Sequence, residues 1–327
     1  MKVLFIGGTG IISSACSQLA LNSGIDLYLL NRGKSFRELP KGAKVLIGDI
    51  RDKNSVKEVL NDHRFDVVVN WIAFDTNHIK TDLEIFSGIT KQYIFISSAS
   101  AYHTPPLSLP VTESTALFNP YWEYSRNKIA SEDMLTHAHR TSGFPATIVR
   151  PSHTYDKTCL PMHGGYTIVN RMRQGKKVVV HGDGTSLWVL THNRDFAKAF
   201  IGLLGNIHSI GETYHITSDE VLTWNQIFET VADAAGTKAD IVHIPSDVIA
   251  QYDKDWGDSL LGDKTHSMIF DNTKIKRAVP GFTATIPFSS GTKEIIQWYD
   301  ANPAHQKINS GLDAMIDKMI TNFKKLW

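Results

Sequence analysis

"KVLFIGGTGIIS", Lys2 to Ser13, decides the fold. Lys2 to Ile6 is a short apolar run rich in strand formers, two glycines follow it, and from about Ile12 to Asn22 the pattern turns helical. Gly7 and Gly10 let the backbone turn tightly and come close to a pyrophosphate, and the helix behind them offers its unpaired N–H groups to that anion. The usual third glycine of such a turn is Ser13 here, so the pattern is incomplete, and a plain tight turn is the competing reading.

Working outward, the same alternation repeats. "DLYLL", "AKVLIGD", "DVVVNWIA" (Asp66 to Ala73), "QYIFISS" (Gln92 to Ser98) and "ATIVR" (Ala146 to Arg150) read as further strands. Helical patterns lie between them, at Ser55 to Asp62 and His78 to Phe86 among others. The strands are nearly continuous apolar runs, as expected of a parallel sheet covered on both faces. The expected fold class is α/β: a Rossmann-type doubly wound parallel sheet with a smaller mixed α/β C-terminal part. We expect a dinucleotide-binding region over residues 1–150 and a smaller substrate-binding region over 151–327, the two interleaved. Short strands "KVVVHG", "TYHIT" and "DIVHIP" are assigned to the second region. Ligands of such sheets bind beyond the carboxyl ends of the strands, so the residues of interest should follow them.

After the second strand a carboxylate would hold the ribose hydroxyls of NAD. The sequence has instead "LLNRGKS", with Asn31, Arg32 and Lys34. A guanidinium offers paired donors to a phosphate, so these cations suit the 2′-phosphate of NADP, with NAD as the alternative. Asp49 and Ile50 follow the third strand, where an adenine amino group can be met. "YWEYSRNK" sets Tyr124 and Lys128 four apart, on one helix face. A phenol titrates near ~10 and needs a nearby cation to act as a base at neutral pH. By itself that spacing reads as a surface tyrosine over a solvated lysine.

Taken in order, the glycine turn, "GDIRD", "SSASAY", "YSRNK", "RPSHTYD" and "GDGTSLWVLTHNRDFA" change that balance. The chain resembles the extended short-chain dehydrogenase/reductase superfamily, in its NAD(P)-dependent epimerase/dehydratase family. The resemblance implies Ser98, Tyr124 and Lys128 as the catalytic set. Tyr124 would exchange a proton with a substrate hydroxyl, Ser98 would hold the same oxygen, and Lys128 would lower the phenol's pKa and reach the nicotinamide ribose. It implies cofactor contacts from Gly7, Thr9, Gly10, Ile11, Ile12, Asn31, Arg32, Lys34, Asp49, Ile50, Ile72, Ala73, Tyr124, Lys128, Pro151 and His153. Substrate contacts are expected from Ser98, Ser100, Tyr102, His153 and Trp188. Relatives acting on nucleotide sugars carry a diphosphate-binding arginine where this chain has Trp188, and dehydratases carry an Asp-Glu pair where it has Ala99-Ser100. The expected activity is thus an NAD(P)-dependent oxidoreductase or epimerase acting on a sugar-like hydroxyl, with 4,6-dehydration disfavoured. The alternative is a non-catalytic or RNA-binding member of the same fold family, since chloroplast stem-loop RNA-binding proteins also resemble it.

Composition narrows the classes. The 34 basic and 33 acidic residues leave +1, with no block of five like charges, so there is no electrostatic footprint for nucleic acid or an anionic membrane. Cys16 and Cys159 stand in no metal or disulfide spacing and read as reduced thiols of a cytoplasmic protein. The apolar run in "MKVLFIGGTG" is too short for a signal sequence, and no stretch approaches membrane-spanning length. The 14 histidines form no His-Glu-x-x-His, and His137 and His139 would point apart on a helix, so no metal is expected. No Gly-x-Ser-x-Gly elbow is present. Ile129, Met134 and Leu135 suggest a homodimer through the helices near 78–86 and 121–139. The stripe Leu312, Met315, Ile316, Met319, Ile320 and Phe323 suggests a helix docked on its own core.

Overall fold

The structure, a computed structural model, describes residues 1–34, 37–60 and 63–325. Ser35 of the cationic loop, and Asn61 and Asp62 at the expected end of the second helix, lie outside the described residues.

The first strand, β1 (Lys2–Ile6), explains the sheet. Val3, Leu4, Phe5 and Ile6 are all fully buried, because helices cover both faces. Val3 and Phe5 face one apolar cluster, with Phe196 and Phe200; Leu4 and Ile6 face another, with Val56, Ile79, Phe86 and Leu135. That alternation is the period of two of a strand. Each such side chain contributes about 1.5–3 kcal/mol when buried.

Around β1 run β2 (Asp26–Asn31), β3 (Lys44–Ile47), β4 (Phe65–Asn70), β5 (Thr90–Ile96) and β6 (Ala146–Pro151), with β7 (His153–Tyr155), β8 (Val178–His181), β9 (Leu187–Trp188), β10 (Leu190–His192), β11 (Thr213–Ile216), β12 (Leu222–Thr223) and β13 (Ile241–Ile244) after them. Seven strands form one sheet in the order β11-β6-β5-β4-β1-β2-β3, all parallel. β1 lies between β2 and β4, so the chain leaves it in opposite directions and opens a crevice at its carboxyl end. Helices α1 (Ile11–Asn22), α2 (Lys53–Leu60), α3 (Thr76–Phe86) and α4 (Glu123–Ser142) connect and cover the sheet. Gly143 ends α4 in the left-handed conformation, φ +67°, a position that glycine adopts without strain.

One expectation is corrected here. "TYHIT" was assigned to the smaller second part, yet β11 pairs with β6 and completes the main sheet. An isolated apolar run carries no mark of its partner strand. The other later strands form three small pairs, β7 with β10, β8 with β13 and β9 with β12. They enclose a third apolar core, which the helix Ser310–Lys324 joins through Leu312, Ile316, Met319 and Ile320. Two of the residues that suggested a dimer face inward: Leu135 is fully buried and Met134 packs on the core beneath α3 and α4. Among the described residues no helix is long and apolar enough to cross a membrane.

Candidate active site

The glycine turn is shaped as its sequence demands. Gly7 and Gly8 have φ near +99° and +98°, and a Cβ on Gly7 would meet Ile72 at 3.2 Å and Trp71 at 3.4 Å. Gly10 precedes α1, and no side chain caps the first turn. The amides of Ile11 and Ile12 therefore remain for an anion. Ser13, in the third glycine position, is buried and its hydroxyl accepts from Gly10 N–H at 2.8 Å, so the side chain folds back on the turn.

Beside this turn lies a cavity of about 220 Å³ at the ends of β1, β2 and β4. It gathers Gly7, Thr9, Asn31, Arg32, Lys34, Asp49, Ile50 and Ile72 from the expected cofactor set. Asn31 Oδ1 accepts from Gly33 N–H, whereas its buried Nδ2 has no partner among the described residues. An unpaired amide donor at the mouth of β2 suits a ribose hydroxyl. The uncapped helix, the close-approach glycines and this donor together fit a dinucleotide. Arg32 lies 3.8 Å from Asp49, and both are substantially exposed.

A second cavity, of about 390 Å³, lies at the ends of β5 and β6. Ser98, Ser100, Tyr124, Pro151, His153 and Trp188 line it, bringing together most of the expected reacting and substrate-contacting residues. Ser98 begins a single turn after β5, with its Oγ accepting from Ser100 N–H. A chain of hydroxyls runs inward, Ser98 to Ser100 at 2.9 Å and Ser125 to Ser100 at 2.7 Å. Ser100 is 2% exposed, so it orients Ser98 more than it meets a ligand.

Tyr124 is the second residue of α4, and Asn119 fixes where that helix begins. Its Oδ1 accepts from Tyr121 and Trp122 N–H, while its Nδ2 donates to Ser100 O at 2.9 Å and Gly262 O at 2.6 Å. Deeper in α4, Glu132 takes Arg150 side-on through Nε and Nη2 and accepts from the Ser97 hydroxyl. This buried pair locks α4 to the ends of β5 and β6. Lys128 is also buried, its Nζ donating to Ala73 O at 2.7 Å and Ile96 O at 2.8 Å. Ala73 therefore acts through its carbonyl, from beneath the site.

The electrostatics revise the expected picture. Burial pushes the Tyr124 phenol up to about 12, a hydrogen bond with Ser98 draws it back, and the Asp263 carboxylate raises it further. Burial pulls Lys128 down to about 7, with Glu132 opposing. Both shifts disfavour charge, so Lys128 does not by itself lower the phenol as expected. His153 is held neutral, pulled to about 3 by burial, and Lys264 adds to the shift. Its Nδ1 accepts from Trp188 Nε1 at 3.3 Å, which leaves the ring hydrogen on Nε2.

Tyr102 is a second correction. It is fully buried, its hydroxyl pairs with His215 Nδ1 at 3.0 Å, and Arg150 lies over its ring at 4.7 Å. It braces the Arg150 side chain and does not line the cavity. Conversely, Trp122, Asp263 and Lys264 line the cavity and were not singled out. Asp263 and Lys264 close a π-helical turn, Leu260–Lys264, with a 3.1 Å contact between their charged groups. Such turns recur at functional sites. The only sequence signal was a charged doublet, "GDK", inside an apolar stretch.

Comparison with known proteins bears on the family and the fold. Residues 3–217 match the model of a family described as NAD dependent epimerase/dehydratase family. The chain is 28% identical over 257 residues to the Chloroplast stem-loop binding protein of 41 kDa b of Arabidopsis thaliana, covering 74% of this chain and 65% of that protein, just under two thirds of its length. It is 25% identical to dTDP-glucose 4,6-dehydratase of Streptomyces niveus, over 93% of this chain and 94% of that one. In fold it resembles UDP-glucose 4-epimerase from Bifidobacterium longum, solved with NAD+ and UDP, with a TM-score of 0.76 at 20% identity, covering 93% of this chain and 100% of that chain.

Proposed function

The chain belongs to the NAD dependent epimerase/dehydratase family, and from that premise we propose that it is an NAD(P)-dependent oxidoreductase or epimerase acting on a carbinol of a sugar-like substrate, with Tyr124 as the proton-transferring group. The observation that carries this reading is the meeting of Ser98 and Tyr124 in one cavity, at the same carboxyl edge of the sheet as the glycine-turn cavity. Bound NAD(P) would supply the hydride acceptor or donor. Ser98 Oγ would hold the reacting oxygen, and Tyr124 Oη would give it a proton or take one. With its phenol held protonated by burial, Tyr124 is ready as the acid for carbonyl reduction; in the oxidising direction it must first lose its proton. In its protonated form Lys128, fixed by two carbonyls, has one N–H left for a ribose hydroxyl.

Asn31 serves either cofactor. Arg32 and Lys34 add a preference for NADP, smaller than the ~1.5–3 kcal/mol of a desolvated charge-assisted bond because Arg32 is exposed and already faces Asp49. Water elimination is the weaker chemistry. Ala99 carries no acid or base and the Ser100 hydroxyl is engaged, although Asp263 does bring a carboxyl to the opposite wall.

The test is a screen of sugars and their derivatives with both cofactors, following reduced nicotinamide. Net oxidation marks a dehydrogenase, while isomerised product with cofactor retained through purification marks an epimerase. A second reading rests on the stem-loop-binding relative: an RNA-binding member of the fold. The near-neutral charge of +1 weighs against it, and a salt-sensitive mobility shift with stem-loop RNA would favour it.

A further inference from the structure

Next to the Tyr124 cavity lies a third, of about 300 Å³, and His153 and Lys264 line both. Its wall is mostly apolar, from Leu160, Met162, Ile168, Phe228 and Trp256. His163 stacks on Trp256 with centroids 4.4 Å apart and planes 4° from parallel. Trp188, in the wall of the first cavity, lies 5.6 Å from Trp224 in the wall of this one. The two spaces are thus bordered by flat aromatic surfaces.

The charge of this double cavity is small. Among the described residues, Lys264 is the one lysine or arginine lining either space, and Asp263 stands 3.1 Å from its ammonium. Burial holds His153 and His181 neutral and draws His163 down. A diphosphate placed here would lose its water without gaining compensating cations. Trp224 gives a second, independent indication. It is 3% exposed, and its indole N–H has no acceptor among the described residues. A buried donor without a partner, in the wall of an apolar cavity, calls for one neutral acceptor from a ligand.

We propose that the part of the substrate away from the reacting carbon is a flat, largely apolar, uncharged ring bearing one hydrogen-bond acceptor, seated in this third cavity, and that nucleoside diphosphate sugars are not substrates. The proposal rests on the reading of the Tyr124 cavity as the reacting end. It makes Trp224 and the Asp263–Lys264 pair determinants of specificity. Trp224 supplies the donor, and the neutralised pair refuses multiply charged ligands.

The test is calorimetric titration of the NAD-saturated protein with 4-methoxyphenyl β-D-glucopyranoside, methyl β-D-glucopyranoside and UDP-glucose, with reduced nicotinamide followed in parallel. The aryl glucoside should bind about tenfold more tightly than the methyl glucoside, and UDP-glucose no more tightly than the methyl glucoside. Trp224→Phe should weaken the aryl glucoside about fivefold, leave the methyl glucoside unchanged and not lower the melting temperature. Equal binding of the two glucosides, no binding of either, or tighter binding of UDP-glucose overturns the proposal. Turnover separates the two claims. Tight binding and oxidation of UDP-glucose would overturn this inference and uphold the oxidoreductase; aryl-selective binding with no turnover of any sugar in the screen would do the reverse.

Discussion

The Lys128 ammonium stands over the face of the Tyr124 ring, 5.6 Å from its centroid, and donates to the carbonyls of Ala73 and Ile96. The lysine is therefore a buried strut that ties α4 to β5 and to the segment after β4. With the phenol raised to about 12, alcohol oxidation needs a deprotonation that becomes easier as pH rises. The rate of oxidation should climb steadily from neutral to alkaline pH, and carbonyl reduction should stay flat over the same range. Rates measured in both directions across that range check this, and an oxidation rate that falls above neutrality would count against it.

Cofactor choice follows from the mouth of β2. Arg32→Ala should weaken NADP about threefold to tenfold and leave NAD nearly unchanged, because the contact proposed for Arg32 is to the 2′-phosphate, which NAD lacks. Titrating both cofactors into the wild type and the variant decides it. Equal weakening of both would make Arg32 an adenine-stacking or solvated residue.

Glu132 and Arg150 form the buried ion pair that holds α4 against β5 and β6. Removing one partner leaves the other charge uncompensated, at a cost of about 3–5 kcal/mol. Glu132→Gln should lower the unfolding free energy by that order, and a denaturant titration would show it. A change under about 1 kcal/mol would mean that the site tolerates or hydrates the lone guanidinium.

Asp82 gives a pH signature remote from the reacting cavity. It is 1% exposed, accepts from Asn70 and Tyr93, and burial raises its carboxyl to about 7. A carboxyl raised in the folded state favours the fold while protonated. Its contribution is whole below the unfolded value of 3.8 and is lost as pH rises through about 7, up to ~4 kcal/mol in all. The stability of wild type relative to Asp82→Asn should therefore fall between about pH 4 and pH 8. A pH-independent difference would contradict the assignment.

The sheet was legible because its strands are continuous apolar runs bounded by glycine and polar residues, and β1 was read to the residue. The glycine turn was legible because the backbone at Gly7, φ +99°, is one that glycine adopts readily and other residues rarely do. β11 was misplaced because pairing is a long-range property that a four-residue run does not carry. Tyr102 followed Ser98 closely enough in sequence to be assigned to the substrate, yet the turn after β5 swings its ring into the core toward Arg150. Asp263, Lys264 and Trp224 were illegible for a related reason. They reach the cavities from irregular segments late in the chain, where no periodicity marks a face.

The central claim is that the Tyr124 hydroxyl moves the proton. The direct measurement is the turnover of Tyr124→Phe beside that of Tyr121→Phe, with cofactor affinity determined for each. Tyr121 is 41% exposed and serves as the paired control. Tyr124→Phe should lose 10²–10⁴-fold in rate, on the order expected for a positioned acid–base group, while binding cofactor within about threefold of wild type. Tyr121→Phe should be nearly silent. A Tyr124→Phe enzyme that retains more than about a tenth of the wild-type rate would contradict the account.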